Sequence, residues 1–183
     1  MCIITCKEVS VMKEIIIRKA TMNDAEAITA VLVESQWFTY GHLYSKDYIT
    51  KLIEKYYTVQ RIEQEIVSIS EEWHGYFIAE ANGKILGAIG GGMTSETAGE
   101  VYVFYLDPLM RGMGIGTRLL NFFTKIQKYT YGAKIQWVSV AKGNNYGIPF
   151  YEARGFIFQH EELAYGTSEE DQDISMKYCR EIN

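Results

Sequence analysis

The stretch from Val101 to Thr117 constrains this chain more than any other, because it sets a strand, a tight loop and a helix start in direct succession. Val101 to Leu106 is an unbroken β-branched and aromatic run, the pattern of a strand buried on both faces, and Asp107-Pro108 ends it. Gly112, Gly114 and Gly116 then alternate. Glycine adopts backbone conformations closed to other residues and lets a ligand approach the main chain, so this loop can turn several N–H groups inward. The next segment carries Ile115, Leu119, Phe122, Phe123 and Ile126 on one stripe, which predicts a helix whose free amides and positive dipole end meet the loop. A pyrophosphate would bind there without a metal.

Two familiar phosphate loops do not match. A P-loop ends in Gly-Lys-Ser/Thr, whereas Gly116 is followed by Thr117 and Arg118. A dinucleotide fingerprint needs a differently spaced third glycine and an acid at the end of the next strand, and the run Ile135 to Val140 ends without one. Arg111-Gly112-Met113-Gly114-Ile115-Gly116 instead resembles the (Gln/Arg)-x-x-Gly-x-(Gly/Ala) signature of the GNAT superfamily of N-acetyltransferases. A second segment, from Asn144 to Phe156 with Phe150-Tyr151 and Gly155-Phe156 at its centre and end, is similar to the superfamily's later helix. The likeness runs over residues 14 to 178. The aromatic linker and the Asp173-x-x-Met176-Lys177 ending are also similar to bacterial polyamine acetyltransferases.

Composition sets the frame. With 183 residues and 48% hydrophobic content the chain suits one domain, and a net charge of −5 without a basic stripe argues against nucleic acid. Cys2, Cys6 and Cys179 are odd in number and lack metal-ligand spacing, so no disulfide framework and no metal site is expected. No basic and apolar leader or membrane-length apolar stretch is present, so the expected location is cytoplasmic, with no membrane partner. Residues 1–11 read as an N-terminal tail and 12–183 as a single domain, with Met12 offering an alternative translation start.

Along the chain, Ile15 to Arg18 reads as a strand, and Thr21 to Asp24 as the cap of a helix through Ser35. Gln36 to Tyr44 reads as a linker unusually rich in aromatics, which either wall an acceptor site or pack on the sheet. Helices are expected over Ser45 to Tyr57 and Thr58 to Glu72, and strands over Gly75 to Glu80, Lys84 to Ile89 and Glu100 to Leu106, the first pair joined by the hairpin signal Asn82-Gly83. Gly90-Gly91-Gly92 reads as an interruption, a bulge or a flexible turn. A helix over Gly114 to Tyr131, a strand over Lys134 to Val140, a helix over Asn144 to Arg154, and strands over Phe156 to Ala164 and Asp173 to Tyr178 complete the chain. The expected class is α/β, a GNAT fold with a mixed, largely antiparallel, twisted sheet of six to seven strands flanked by about four helices.

The resemblance implies acetyl transfer from acetyl-CoA, as co-substrate, to a small primary amine by direct attack in a ternary complex. Protein N-terminal or lysine acetylation, or a non-catalytic acyl-CoA-binding module, are the alternatives, and a homodimer is a family expectation. The amine must be neutral to attack, which for a lysine-like pKa of about 10.4 costs roughly 4.6 kcal/mol at pH 7. Glu100, eleven residues before Arg111, stands at the offset where some relatives carry a proton-accepting glutamate, although an exposed strand-end glutamate is the other reading. By the family pattern the Leu106 N–H meets the developing oxyanion, and Tyr105 and Leu106 flank the acetyl and pantetheine groups. Arg111, Gly112, Met113, Gly114, Ile115, Gly116 and Thr117 hold the pyrophosphate, with Arg118 either adding charge there or lying solvated on its helix. Asn144 binds the pantetheine chain and Tyr151 is the general acid, its ordinary pKa near 10 lying close above that of a thiol. Glu161, Glu162, Glu169, Glu170, Asp171 and Asp173 would favour a cationic acceptor if the last hairpin overhangs the cleft.

Overall fold

The computed structural model describes residues 14–165, 167 and 173–182. The expected tail, and Glu169 to Asp171, lie outside them. Seven strands form one sheet: β1 (Ile16–Lys19), β2 (Tyr76–Ala81), β3 (Lys84–Met93), β4 (Ala98–Leu106), β5 (Ile135–Ala141), β6 (Ile157–Leu163) and β7 (Ile174–Glu181), in the order β1-β2-β3-β4-β5-β7-β6. All neighbours are antiparallel except β4 and β5, which run parallel. Helices α1 (Ala25–Tyr40), α2 (Lys46–Tyr56), α3 (Val59–Val67), α4 (Ile115–Lys125) and α5 (Gly147–Glu152) complete the fold.

The sheet separates two apolar cores. Ile28, Leu32, Ile62 and Ile66 from α1 and α3 pack on Tyr76, Ile78 and Ala88. On the other face Leu119, Leu120 and Phe123 of α4 and Tyr151 of α5 pack on Phe77, Leu86, Val101 and Val138. The Asn82-Gly83 hairpin forms as the dipeptide predicts, with both residues at positive φ and Ala81 opposite Lys84. Thr21 and Asp24 make the capping box expected ahead of α1, where Asp24 also receives two hydrogen bonds from Arg18.

Four expectations need correction. Helix α1 continues through Tyr40, so Trp37, Phe38 and Tyr40 belong to its last turns rather than to a linker. Helix α3 stops at Val67, where the Trp73 indole N–H turns back to donate to the Glu65 carbonyl at 2.7 Å. The three glycines interrupt nothing: β3 runs through them to Met93. A Cβ on Gly91 would overlap the Glu100 carbonyl, and one on Gly92 the Glu72 carbonyl, so these positions serve close backbone approach. Helix α4 is α-helical only to Lys125 and then widens into a π-turn over Ile126–Thr130. That turn carries the fully buried Gln127, whose amide donates to the carbonyls of Gly92 and Glu100 and accepts from Gln136 at 2.9 Å.

Candidate active site

The site begins with one extra residue in β4. Val103 and Val101 lie opposite the adjacent residues Gly90 and Gly91 of β3, which leaves Tyr102 as a bulge. A bulge bends and twists its strand. Pairing of β4 with β5 stops there: the parallel register runs from Ala98 opposite Ile135 to Val101 opposite Val138 and goes no further. Beyond it the two strands part, and a cleft of about 490 Å³ opens between them. Its walls include Val101, Tyr102, Phe104 to Leu106, the glycine loop, Val138 to Val140, Asn144, Phe150 and Tyr151.

Backbone parity decides what the open edge offers. The Asp107 N–H donates to the Leu86 carbonyl at 2.8 Å, toward β3. Alternation along an antiparallel strand then turns the N–H groups of Phe104 and Leu106 the other way, toward the gap. The expected Leu106 amide is therefore joined by that of Phe104, which the sequence could not reveal because strand parity requires knowing the partner.

The glycine loop turns unpaired amides toward the cleft end of α4. Gly112 and Gly114 have φ of +78° and +77° with open space where a side chain would stand. Gly116 is needed for another reason: a Cβ there would lie 2.9 Å from Leu106 Cδ1 and 3.1 Å from Phe150, so its smallness lets α4 close on the strand. The first helical bond is from Arg118 N–H to the Gly114 carbonyl, which leaves the amides of Ile115, Gly116 and Thr117 without a helical acceptor. The Ile115 side chain is buried, while Met113 is exposed on the loop. Arg111 is clamped between aromatic faces, its guanidinium 3.9 Å from the Tyr146 ring centre and 4.7 Å from that of Phe38. Its Nε is buried without a partner, and desolvation lowers its pKa. Arg118 is elsewhere, donating to the Ile15 carbonyl at 2.7 Å.

Tyr151 is buried against Phe104, Phe150 and Phe156 and lines the cleft. Burial pushes its phenol well above the ordinary value, so the expected closeness to a thiol pKa does not hold and the group stays protonated. Asn144 spends its Oδ1 on the start of α5, accepting from Tyr146 N–H and Gly147 N–H at 3.1 and 2.8 Å, and leaves its NH2 group facing Tyr40 Oη at 3.5 Å. Tyr105 sits with Tyr40 and Tyr57 in a buried phenol group, and desolvation raises all three.

Glu100 lies before the bulge and outside the cleft wall. Its Oε1 accepts from Lys177 Nζ at 2.6 Å and from Ser139 Oγ at 3.3 Å. Ser139 lines the cleft, and its single hydroxyl proton is shared between Glu100 and, at 2.7 Å, Glu162, so one hydroxyl separates Glu100 from the opening. Lys177 lies 3.4 Å from Glu162 as well, closing a compact ion group that sequence spacing did not reveal. Tyr40, Tyr44 and Tyr48 form a ring ladder at 5.9 and 4.8 Å on the α1–α2 side, where burial and, to a lesser degree, the charge of Asp173 raise the Tyr44 phenol. Phe38, in contrast, is taken up by Tyr146.

Among the described residues no Asp or Glu lines the cleft, whereas free amides and a half-paired arginine do, so its walls fit a polyphosphate donor. Residues 35–156 match the family model described as the acetyltransferase (GNAT) family. The chain belongs to the GNAT family of acetyltransferases, enzymes that use acetyl-CoA. It is 32% identical over 141 residues to a spermidine N(1)-acetyltransferase of Thermoplasma acidophilum, covering 76% of this chain and 86% of that protein. Among solved structures, the PaiA N-acetyltransferase of T. acidophilum in complex with coenzyme A superposes with a TM-score of 0.76 at 28% identity, over 90% of this chain and 98% of that one. Ard1 of Thermoplasma volcanium shares the fold, with a TM-score of 0.69 at 19% identity over 92% and 98% of the two chains.

Proposed function

We propose that this enzyme acetylates a primary amine of a small linear polyamine, by direct attack on acetyl-CoA within a ternary complex. The observation that carries the reading is the gap that opens in the sheet at Tyr102, lined on one edge by two free strand amides and closed at one end by the glycine loop. The polyamine class is supported by the spermidine-acetylating relative, by the tyrosine ladder, whose faces attract ammonium groups, and by the carboxylates of Glu100, Glu162 and Asp173 near the opening.

Acetyl-CoA supplies an activated acetyl thioester. The amides of Met113 to Thr117, with Arg111, hold its pyrophosphate, and the second N–H of the Asn144 amide, beside the one on Tyr40, meets the pantetheine chain. The N–H groups of Phe104 and Leu106 are aimed where negative charge develops on the acetyl oxygen, a contribution that fixed donors make without reorganising. The Tyr151 hydroxyl, held protonated by burial, donates a hydrogen bond that stabilises the departing thiolate, which takes its proton from water on release. Glu100 accepts the amine proton through Ser139 or water, because Ser139, not Glu100, lines the gap. Thiol release from acetyl-CoA across polyamines, aminoglycosides, amino acids and peptides tests the proposal. Release that depends on polyamines and falls in Tyr151→Phe is expected. Release with peptides alone would refute the acceptor class.

A further inference from the structure

Among the described residues two charged side chains line the cleft, and both are arginines, in a chain whose net charge is −5. Arg111 belongs to the glycine-loop motif. Arg154 does not: it stands just past α5 and reaches Thr117 in the first turn of α4. Its guanidinium lies over the Phe150 ring at 3.7 Å, donates from Nη1 to the Phe150 carbonyl at 2.7 Å, and donates from Nε and Nη2 to Thr117 Oγ1. Of its five N–H groups three are used, and two remain.

What Arg154 lacks, among the described residues, is a counter-charge. Burial lowers its pKa and no carboxylate opposes the shift. Arg180 stands behind it, donating to the Arg154 carbonyl at 2.8 Å, and spends its other donors on Gln136 and Thr124, so a second guanidinium adds to the same positive region. Holding two partly buried cations side by side without an acid is unfavourable until an anion arrives. The loop amides and Arg111 suffice for a pyrophosphate. The acyl donor carries one further phosphate, the monoester on its ribose, and Arg154 is the cleft cation left without a match.

We propose that Arg154 binds the ribose 3′-phosphate of the acyl donor and makes the enzyme selective for acetyl-CoA over acetyl-3′-dephospho-CoA. The inference rests on the reading of the cleft as an acetyl-CoA site. A guanidinium already fixed by Phe150 and Thr117 is well placed for this role, because it loses little freedom when its remaining N–H groups close on phosphate oxygens.

The test compares KM for the two donors in the wild-type protein, Arg154→Gln and Arg154→Lys at one saturating polyamine concentration. The wild type should prefer acetyl-CoA by about tenfold in KM, the size of one charge-assisted contact. Arg154→Gln should bring that ratio close to one, and Arg154→Lys should restore part of it. A ratio that survives in Arg154→Gln overturns the proposal. So does an equal loss on both donors, which would mean that Arg154 touches the pyrophosphate or only supports Thr117. Absence of wild-type activity with acetyl-CoA and every acceptor would instead defeat the catalytic reading itself.

Discussion

From Gly99 to Val101, β4 is paired on both edges, whereas from Val103 to Leu106 it keeps β3 alone. The two halves share one strand and one neighbour, yet they do opposite work. In the first half Gln127 reaches up from the π-turn to satisfy the carbonyls of Gly92 and Glu100 beside the bulge. In the second half the amides of Phe104 and Leu106 are left for a ligand. The difference teaches that a single bulged residue turns a structural strand into an open binding edge, and that a buried amide keeps the cost confined to one side.

Deleting Tyr102 would break the comparison most completely. Val103 would follow Val101 in regular register, β4 could pair with β5 along its whole length, and the cleft would close. The expected outcome is a folded protein by circular dichroism with no acetyl-CoA binding by calorimetry; retained binding would show that the bulge does not hold the gap open.

Next in size is the closed half. Gln127→Ala strands two carbonyls and the Gln136 amide in the core, so urea unfolding should reveal a loss of about 3 kcal/mol. In the open half, Tyr151→Phe should lower kcat about 100-fold, roughly 2.7 kcal/mol, with donor affinity nearly unchanged. Because burial raises the Tyr151 pKa, no alkaline fall in rate should come from this phenol up to about pH 10, the ordinary tyrosine value. Glu100→Gln should cost about tenfold in kcat/KM. An unchanged kcat/KM would move the base elsewhere and leave Glu100 as the partner of Lys177.

The smallest effect concerns His74, which joins the closed half through its N–H bond to the Gly91 carbonyl. Its imidazole is buried and stacked on Tyr131 at 3.5 Å, and neither ring nitrogen makes a well-formed hydrogen bond. Burial lowers its folded pKa, so the stability it contributes is full above the unfolded value of about 6.5 and is lost as pH falls toward the lowered one. His74→Phe should therefore gain on the wild type in melting temperature as pH is lowered from about 7.5 to about 5, a window that spans the unfolded value. A constant difference between the two proteins across that range would show that the imidazole titrates alike in the folded and unfolded states.

Local chemistry was legible in advance. Asn82-Gly83 specified its hairpin, Thr21 and Asp24 their capping box, and Arg111 to Thr117 a loop with unpaired amides at a helix start, because each depends on residues within a few positions of one another. The motif around Tyr151 pointed to the cleft that this residue lines, but not to its raised pKa, since desolvation comes from Phe104, Phe150 and Phe156 packed around it. The reason for the triple glycine was hidden too, because it lies in backbone brought close by Glu72 and Glu100.

By itself, then, the sequence determined a strand, a glycine loop with unpaired amides at a helix start, and the family to which they belong. Tertiary structure alone decided the bulge at Tyr102, the Phe104 amide in the gap, the Lys177 ion group around Glu100, and Arg154 on Thr117. The physical reason is register: which way an amide points, and which charge meets which, depends on how two strands far apart in the chain are aligned, and the energy of that alignment is shared among all their neighbours.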